Sequence, residues 1–284
     1  MENRKSTAYS LRHRLGGVRK SRWIRFAIVS LIFFFWVILM GNPWLLLLWP
    51  LIIDIYITQF IPWAWWKNRK GVTRTVMAWV DAIVYALVLI YFIFAFVGQQ
   101  YEIPSSSLEK SLLVGDRLWV DKTVYGARVP QTPVHFPLAQ HTLPIINTRS
   151  YIEKPQLDYH RMPGIRSIRR GDIVVFDAPD FDYVSGSLVK RVIATEGETL
   201  SINEDGQVLI DGEILDEPYI AELIVDYEDY TDPITVPEGH VFCMGDNRNH
   251  STDSRTNSIG CVDTREILGK AYLVLFPLKS FGTL

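Results

Sequence analysis

The chain has 284 residues, 48% of them hydrophobic and 13% aromatic, enough for one or two domains with their own cores. Its formal net charge of −2, with no long basic tract in the C-terminal two thirds, gives no ground for nucleic acid as a partner. The mean hydropathy of +0.10 is high for a soluble chain, and the apolar residues crowd before Gly98.

Residues 1–22 form a basic N-terminus carrying Arg4, Lys5, Arg12, Arg14, Arg19, Lys20 and Arg22. Residues 23–66 are almost unbroken apolar sequence, interrupted by Arg25, Asn42–Pro43 and Asp54. Crossing the hydrocarbon core takes about 20 residues, and this run is roughly twice that. Gly41-Asn42-Pro43 is a turn signal near its middle. The pattern predicts two spans, 24–41 and 44–65, in a tight helical hairpin.

Residues 67–74 carry Lys67, Arg69, Lys70 and Arg74, and residues 75–98 form a third apolar run containing Asp81. The positive-inside rule places both basic clusters in the cytoplasm, so the third span delivers residues 99–284 to the outer face. A cleavable secretory signal is the alternative for the first run, but no small-residue cleavage site follows it. Asp54 and Asp81 lie inside apolar runs, where carboxylates are often functional. The plainer reading is that they sit near an interface or pair within the helix bundle.

Beyond Tyr101 the pattern changes to short apolar stretches between turn residues. Segments 117–122 (RLWVDK), 172–176 (DIVVF), 188–194 (LVKRVIA), 207–210 (QVLI) and 241–244 (VFCM) read as strands. Asp205-Gly206 and Asp211-Gly212 are hairpin turn signals. No long amphipathic helix is visible, so the exported part is expected to be mainly β, one connected antiparallel assembly. Residues 127–168, rich in Pro, His and Thr, read as a long irregular insertion. The two cysteines, Cys243 and Cys261, have neither C-x-x-C nor zinc-ligand spacing. A disulfide between them stays open, since sequence does not bring two thiols within bridging distance.

Four segments stand out: IPSSSLEKSLLVGDRLWVDK at 103–122, RRGDIVVFDAP at 169–179, LVKRVIATEGETL at 188–200 and MGDNRNHSTDSR at 244–255. Each alone has a plain explanation as loop, exposed strand or turn. Together, in this order behind a membrane anchor, they resemble the bacterial type I signal peptidases over most of residues 75–284. The resemblance implies a serine endopeptidase on a membrane-anchored antiparallel β domain. Such an enzyme removes N-terminal signal peptides from exported preproteins, after small residues of Ala-x-Ala type. It uses a Ser/Lys dyad and no cofactor or metal. Pro104-Ser105-Ser106-Ser107-Leu108 matches the family's P-S-x-S-M pattern, which makes Ser107 the nucleophile. The hydrophobic-Lys-Arg strand makes Lys190 the general base, with Arg191 beside it. Ser251, after G-D-N-R, would steady the lysine, and Asp253 and Arg255 match a structural acidic–basic pair. The oxyanion donors would be the Ser107 N–H and the Ser105 hydroxyl. The positions that match the family's substrate pocket are Ile103, Leu108, Leu112, Val175 and Val189, which serve equally as ordinary core. Preprotein signal peptides and the lipid bilayer are the implied partners, with the secretion translocon a further candidate. The implied location is the bacterial inner membrane, multi-pass, with a cytoplasmic N-terminus. Leu108 stands where the family has Met, and Lys110-Ser111 where many members have Pro-Thr.

The chemistry also holds without the resemblance. A serine hydroxyl is a poor nucleophile until a base takes its proton. Lysine does so only when neutral, which near pH 7 requires a fall of about 2–3 pH units from about 10.4. Burial among Leu188, Val189, Val192 and Ile193 would supply that fall. Arg191 points to the opposite face of the strand.

Three rivals differ in what they require. Ser107-Leu108-Glu109-Lys110 literally matches S-x-x-K, but penicillin-binding proteins and serine β-lactamases also need S-D-N and K-T-G, which this sequence lacks. A catalytically dead relative that only binds signal sequences would explain the changes at 108 and 110–111, yet every position that handles a proton or charge is filled. Metal catalysis would draw on His135, His141, His160 or His250, but no H-E-x-x-H or comparable spacing exists.

Overall fold

The structure is a computed structural model that describes residues 18–63, 65–129, 158–177, 187–225 and 232–284. The chain forms two compact units, one holding the N-terminal helices and one beginning at Phe92 and holding every described strand.

In the first unit, helix α1 spans Lys20–Met40. It stops at Gly41, whose left-handed φ of 57° turns the chain and whose N–H bonds to the Ile38 carbonyl. The Asn42 side chain then accepts from Trp44 N–H at 3.0 Å, and Pro43 starts a 3₁₀ turn, Pro43–Leu48. The short helix α2, Trp49–Ile53, and a π turn, Asp54–Thr58, complete the return limb. This limb runs antiparallel to α1: Trp49 Nε1 donates to Ser30 Oγ at 3.2 Å, and Arg22 donates to Gln59 Oε1 at 2.9 Å. The Asp54 carboxylate accepts from Thr58 Oγ1, Phe60 N–H, Ile61 N–H and Trp63 Nε1 at 2.5–3.0 Å. Asp54 is thus a satisfied local cap, in keeping with the plainer reading. Asp81 is exposed on helix α3, Val72–Phe92, which continues as a π turn over Ile93–Val97.

Three spanning helices were expected, and among the described residues two have the length and apolarity. They are Lys20–Met40, at 21 residues, and Val72–Val97, at 26. The middle run, expected over 44–65, is continuously helical over Pro43–Thr58, where it changes type twice, and Trp65 opens a separate 3₁₀ turn, Trp65–Asn68. Pro43 and Pro50 remove N–H donors there, and Gln59 leaves the helix at a φ of 47°.

The second unit opens with β1 (Gly98–Glu102), directly after the α3 extension. Its main sheet adds β2 (Arg117–Asp121), β3 (Ile173–Asp177), β4 (Ser187–Thr195), β9 (His240–Met244), β10 (Val262–Asp263), β11 (Ile267–Phe276) and β12 (Gly282–Thr283). The spatial order is β1-β2-β11-β3-β4-β9-β10, every pairing antiparallel, with β12 on β11. A second sheet, inserted between β4 and β9, has the order β7-β6-β5-β8. It comprises β5 (Thr199–Ile202), β6 (Val208–Ile210), β7 (Glu213–Ile214) and β8 (Ile234–Thr235). Asp211 and Gly212 both have positive φ, the type I′ geometry that closes the β6–β7 hairpin.

All five expected strands form, within one residue at each end of the predicted bounds. β3 does not alternate because both its faces are buried. Ile173 and Val175 join one apolar cluster with Leu118, Val120 and Ala271, while Val174 and Phe176 join another with Val192, Val241 and Cys243. Of the insertion expected at 127–168, residues 130–157, with His135 and His141, lie outside the described residues. Its C-terminal end already belongs to the sheet domain: Ile165 and Arg166 N–H bond to the Thr123 and Val124 carbonyls.

Candidate active site

Ser107 lies in a 3₁₀ turn, Ser106–Leu108, between β1 and β2. The turn is anchored by Leu108 and Leu112, both 1% exposed, in the cluster that also holds Ile103 and Val175 and against which Val189 packs. All five expected pocket positions therefore share one apolar cluster under the turn, four of them fully buried. Ser105 precedes the turn in extended conformation. Instead of capping it, the Ser105 hydroxyl donates to Ser107 Oγ at 3.3 Å. The Ser107 N–H occupies the second position of the turn, where no acceptor exists within the turn itself.

Lys190 is 3% exposed, in the middle of β4, which packs against the Ser106–Leu108 turn. Burial, the dominant influence, pulls its amine from 10.5 down to about 8. The Asp253 carboxylate acts in the opposite direction, but Arg255 sits on it at 2.9 Å and offsets it. Asp246 is likewise held by Arg191 at 2.7 Å. Among the described residues Lys190 makes no ion pair and no hydrogen bond to Ser107, whose hydroxyl is engaged by Ser105. Catalytic hydrogen bonds often form only once substrate is bound.

A lowered amine does not by itself identify a base. Lys122 is also brought to about 8, chiefly by burial. Its Nζ, however, donates to the Phe94 carbonyl at 2.7 Å and to Gln99 Oε1 at 3.1 Å, closing the end of the α3 extension. Among the described residues no serine hydroxyl is its partner.

The loop after β9 joins these parts. Asn247 N–H donates to the Ser107 carbonyl at 3.1 Å and its side chain to the Ser106 carbonyl at 3.2 Å. Gly245 is required here: a Cβ on it would lie 2.3 Å from Ser251 Oγ and 2.4 Å from the Ser107 carbonyl. The Ser251 hydroxyl is buried beside Asp253, whose carboxyl it helps to hold down, and has no well-formed hydrogen bond among the described residues. For Asp253, burial pushes the carboxyl up, but bonds from Arg255 and from Gly245 N–H outweigh it and hold the pKa down. Arg191 projects away from Lys190, as alternation requires. It bonds Asp246 twice, the Gly171 carbonyl and Ser111 Oγ, and stacks 4.1 Å from the Tyr219 ring centroid. The thiols of Cys243 and Cys261 are free, and burial pushes both up.

The structure thus gathers Ser105, Ser107, Lys190, Ser251, Asp253 and Arg255 around one loop, with Arg191 bracing its outer side. Sequence reasoning missed Gly245, Asp246 and Asn247 as supports, although the G-D-N-R segment had been singled out. It also missed Glu217, whose carboxylate holds both terminal nitrogens of the buried Arg248. Nothing in the spacing of residues 217 and 248 signals that pair.

The chain is 33% identical over 249 residues to a Mycobacterium tuberculosis protein named Signal peptidase I, covering 76% of this chain and 78% of that one. It is 31% identical over 220 residues to the Signal peptidase I of Bacillus licheniformis, covering 75% and 93%. It also resembles the crystal structure of a signal peptidase I from Enterococcus faecalis, at 32% identity and a TM-score of 0.30, covering 40% of this chain and all of that one. The profile of the family described as signal peptidase, peptidase S26, matches residues 76–276, so the chain belongs to the signal peptidase I family of serine peptidases and is an enzyme that removes signal peptides.

Proposed function

We propose that this enzyme cleaves preproteins after small residues through an acyl-enzyme, with Ser107 as nucleophile and neutral Lys190 as general base. The observation that carries the reading is a lysine buried to 3% exposure, its amine lowered to about 8, in a strand packed against the turn that presents Ser107. Ser107 Oγ attacks the scissile carbonyl while its proton passes to Lys190 Nζ. The developing oxyanion takes the Ser107 N–H and the Ser105 hydroxyl. Collapse breaks the C–N bond, and the Lys190 ammonium returns the proton to the leaving amine. Water, deprotonated by the same amine, then attacks the acyl carbon; the ester C–O bond breaks, Ser107 Oγ takes the proton back from Lys190, and the signal peptide is released. The Ser251 hydroxyl is the group that orients the amine. Leaving a buried hydroxyl unpaired costs about 1–3 kcal/mol, which a bond to Lys190 in the working enzyme would recover.

The proposed topology has a cytoplasmic N-terminus, three crossings and an extracytoplasmic catalytic domain, in contact with lipid and within reach of a translocon. Helix α1, at 21 residues, is about 30 Å long, the thickness of the hydrocarbon core. The return limb brings Gln59 back beside Arg22, which supports a second crossing despite its short helical part. The basic segment 67–74 then lies on the side of residues 1–22. Cleavage of a reference preprotein in detergent by wild type and by Ser107→Ala tests the assignment. Equal cleavage by the two enzymes would end it.

A further inference from the structure

Lys110 is exposed, yet its ammonium is not free in solvent. Its backbone has a φ of 89°, a region that side chains with a Cβ rarely adopt and that costs about 1–3 kcal/mol. Its ammonium donates to the Pro218 carbonyl at 2.8 Å and to the Ile220 carbonyl at 2.6 Å, more than a hundred residues away in sequence. Its neighbour Ser111 accepts from Arg191, which stacks on Tyr219 of the same 218–220 stretch. Thus Lys110 directly, and Ser111 through Arg191, both meet one segment.

That segment leads back to the nucleophile. Tyr219 OH donates to Glu217 at 3.0 Å, and Glu217 holds Arg248, whose side chain is 1% exposed. Arg248 Nε donates to the Gly245 carbonyl at 3.1 Å, and Asn247 N–H donates to the Ser107 carbonyl. The contacts close a ring that starts three residues after Ser107 and returns to its own carbonyl. We propose that Lys110 is a positioning residue: it latches the 217–220 segment to the nucleophile turn and so fixes the loop that sets the Ser107 backbone. The activity arm of this proposal rests on Ser107 being the nucleophile.

The test compares Lys110→Met, Lys110→Gly and Lys110→Arg in the full-length enzyme in detergent. Lys110→Met is expected to lower kcat on a reference preprotein about tenfold, within the range that small misplacement of reacting groups causes. KM should stay within about twofold, and the pH midpoint should be unchanged, since the base is untouched. Lys110→Arg should keep at least about half of wild-type kcat by restoring the donors. Lys110→Gly relieves the backbone strain, so it should be at least as heat-stable as wild type yet as slow as Lys110→Met. A Lys110→Gly enzyme that is stable and fully active would overturn the latch. Hydrogen exchange without substrate is an independent readout. Amides 217–220 and 245–248 should exchange about tenfold faster in Lys110→Gly, and unchanged exchange would also overturn it. If wild type failed to cleave the preprotein, the catalytic reading would fall, while exchange would still decide the latch.

Discussion

Replacing Lys190 by Arg separates a base from a mere positive charge. With its amine at about 8, roughly one Lys190 in ten is neutral at pH 7, against roughly three in ten thousand at 10.5. Burial therefore raises the active fraction about 300-fold, equivalent to about 3 kcal/mol. Arginine stays charged throughout this range, so Lys190→Arg should lose at least about a hundredfold in kcat, as should Lys190→Ala. The assay is cleavage of a short signal peptide in detergent from pH 5 to 10. Wild-type rate should climb tenfold per pH unit below about 8 and then level off, because only the unprotonated amine accepts the Ser107 proton. Linkage gives a second readout. The folded pKa lies below the unfolded one, so between about 8 and 10.5 the unfolded chain binds more protons, and stability rises with pH across that window. Below about 8 the fold carries the cost of a buried ammonium. Lys190→Met should then be more stable than wild type at pH 7 by about 1–3 kcal/mol, with no activity. Lys122 titrates in the same window and contributes to the same slope, so the comparison is made against Lys122→Met as well. Substantial cleavage by a well-folded Lys190→Arg enzyme would refute the Ser/Lys mechanism and turn attention to a histidine, His250 first.

Gly245→Ala should destabilise the domain by more than about 2 kcal/mol and abolish cleavage, since the new methyl would meet Ser251 Oγ and the Ser107 carbonyl; thermal melting and turnover check both. Ser251→Ala removes an unpaired hydroxyl, so it should leave the melting point within a few degrees of wild type while lowering kcat less than either dyad change. A reporter fused after Leu284 should be active only in its exported form, and cytoplasmic activity would reverse the proposed topology. Changing His135, His141 and His160 together to Gln should leave turnover of a short peptide near wild type, and a loss above about a hundredfold would place part of the site in the insertion.

Much of this was legible in one dimension, because it depends on neighbours in sequence. Basic clusters flank the apolar runs. Asp211-Gly212 can take the two positive φ values of a type I′ turn at little cost. Leu188–Ala194 has the composition of a strand, with Lys190 among apolar neighbours. The ten-residue β11, which no sequence reading named, is different. It separates β2 from β3, so the neighbours of Ser107 and Lys190 follow from a strand near the C-terminus that closes the sheet. The return limb, expected to be helical over 44–65, has its continuous helix over Pro43–Thr58, where Pro43 and Pro50 remove N–H donors. Sequence by itself determined which residue types could act: a hydroxyl to attack and an amine able to lose its proton. Only the tertiary structure decided that the amine is desolvated while its nearby carboxylates are spent on Arg191 and Arg255. It also showed that Lys110 reaches residues 218 and 220. Desolvation and pairing are sums over atoms that the fold assembles from distant segments, and no local pattern encodes them.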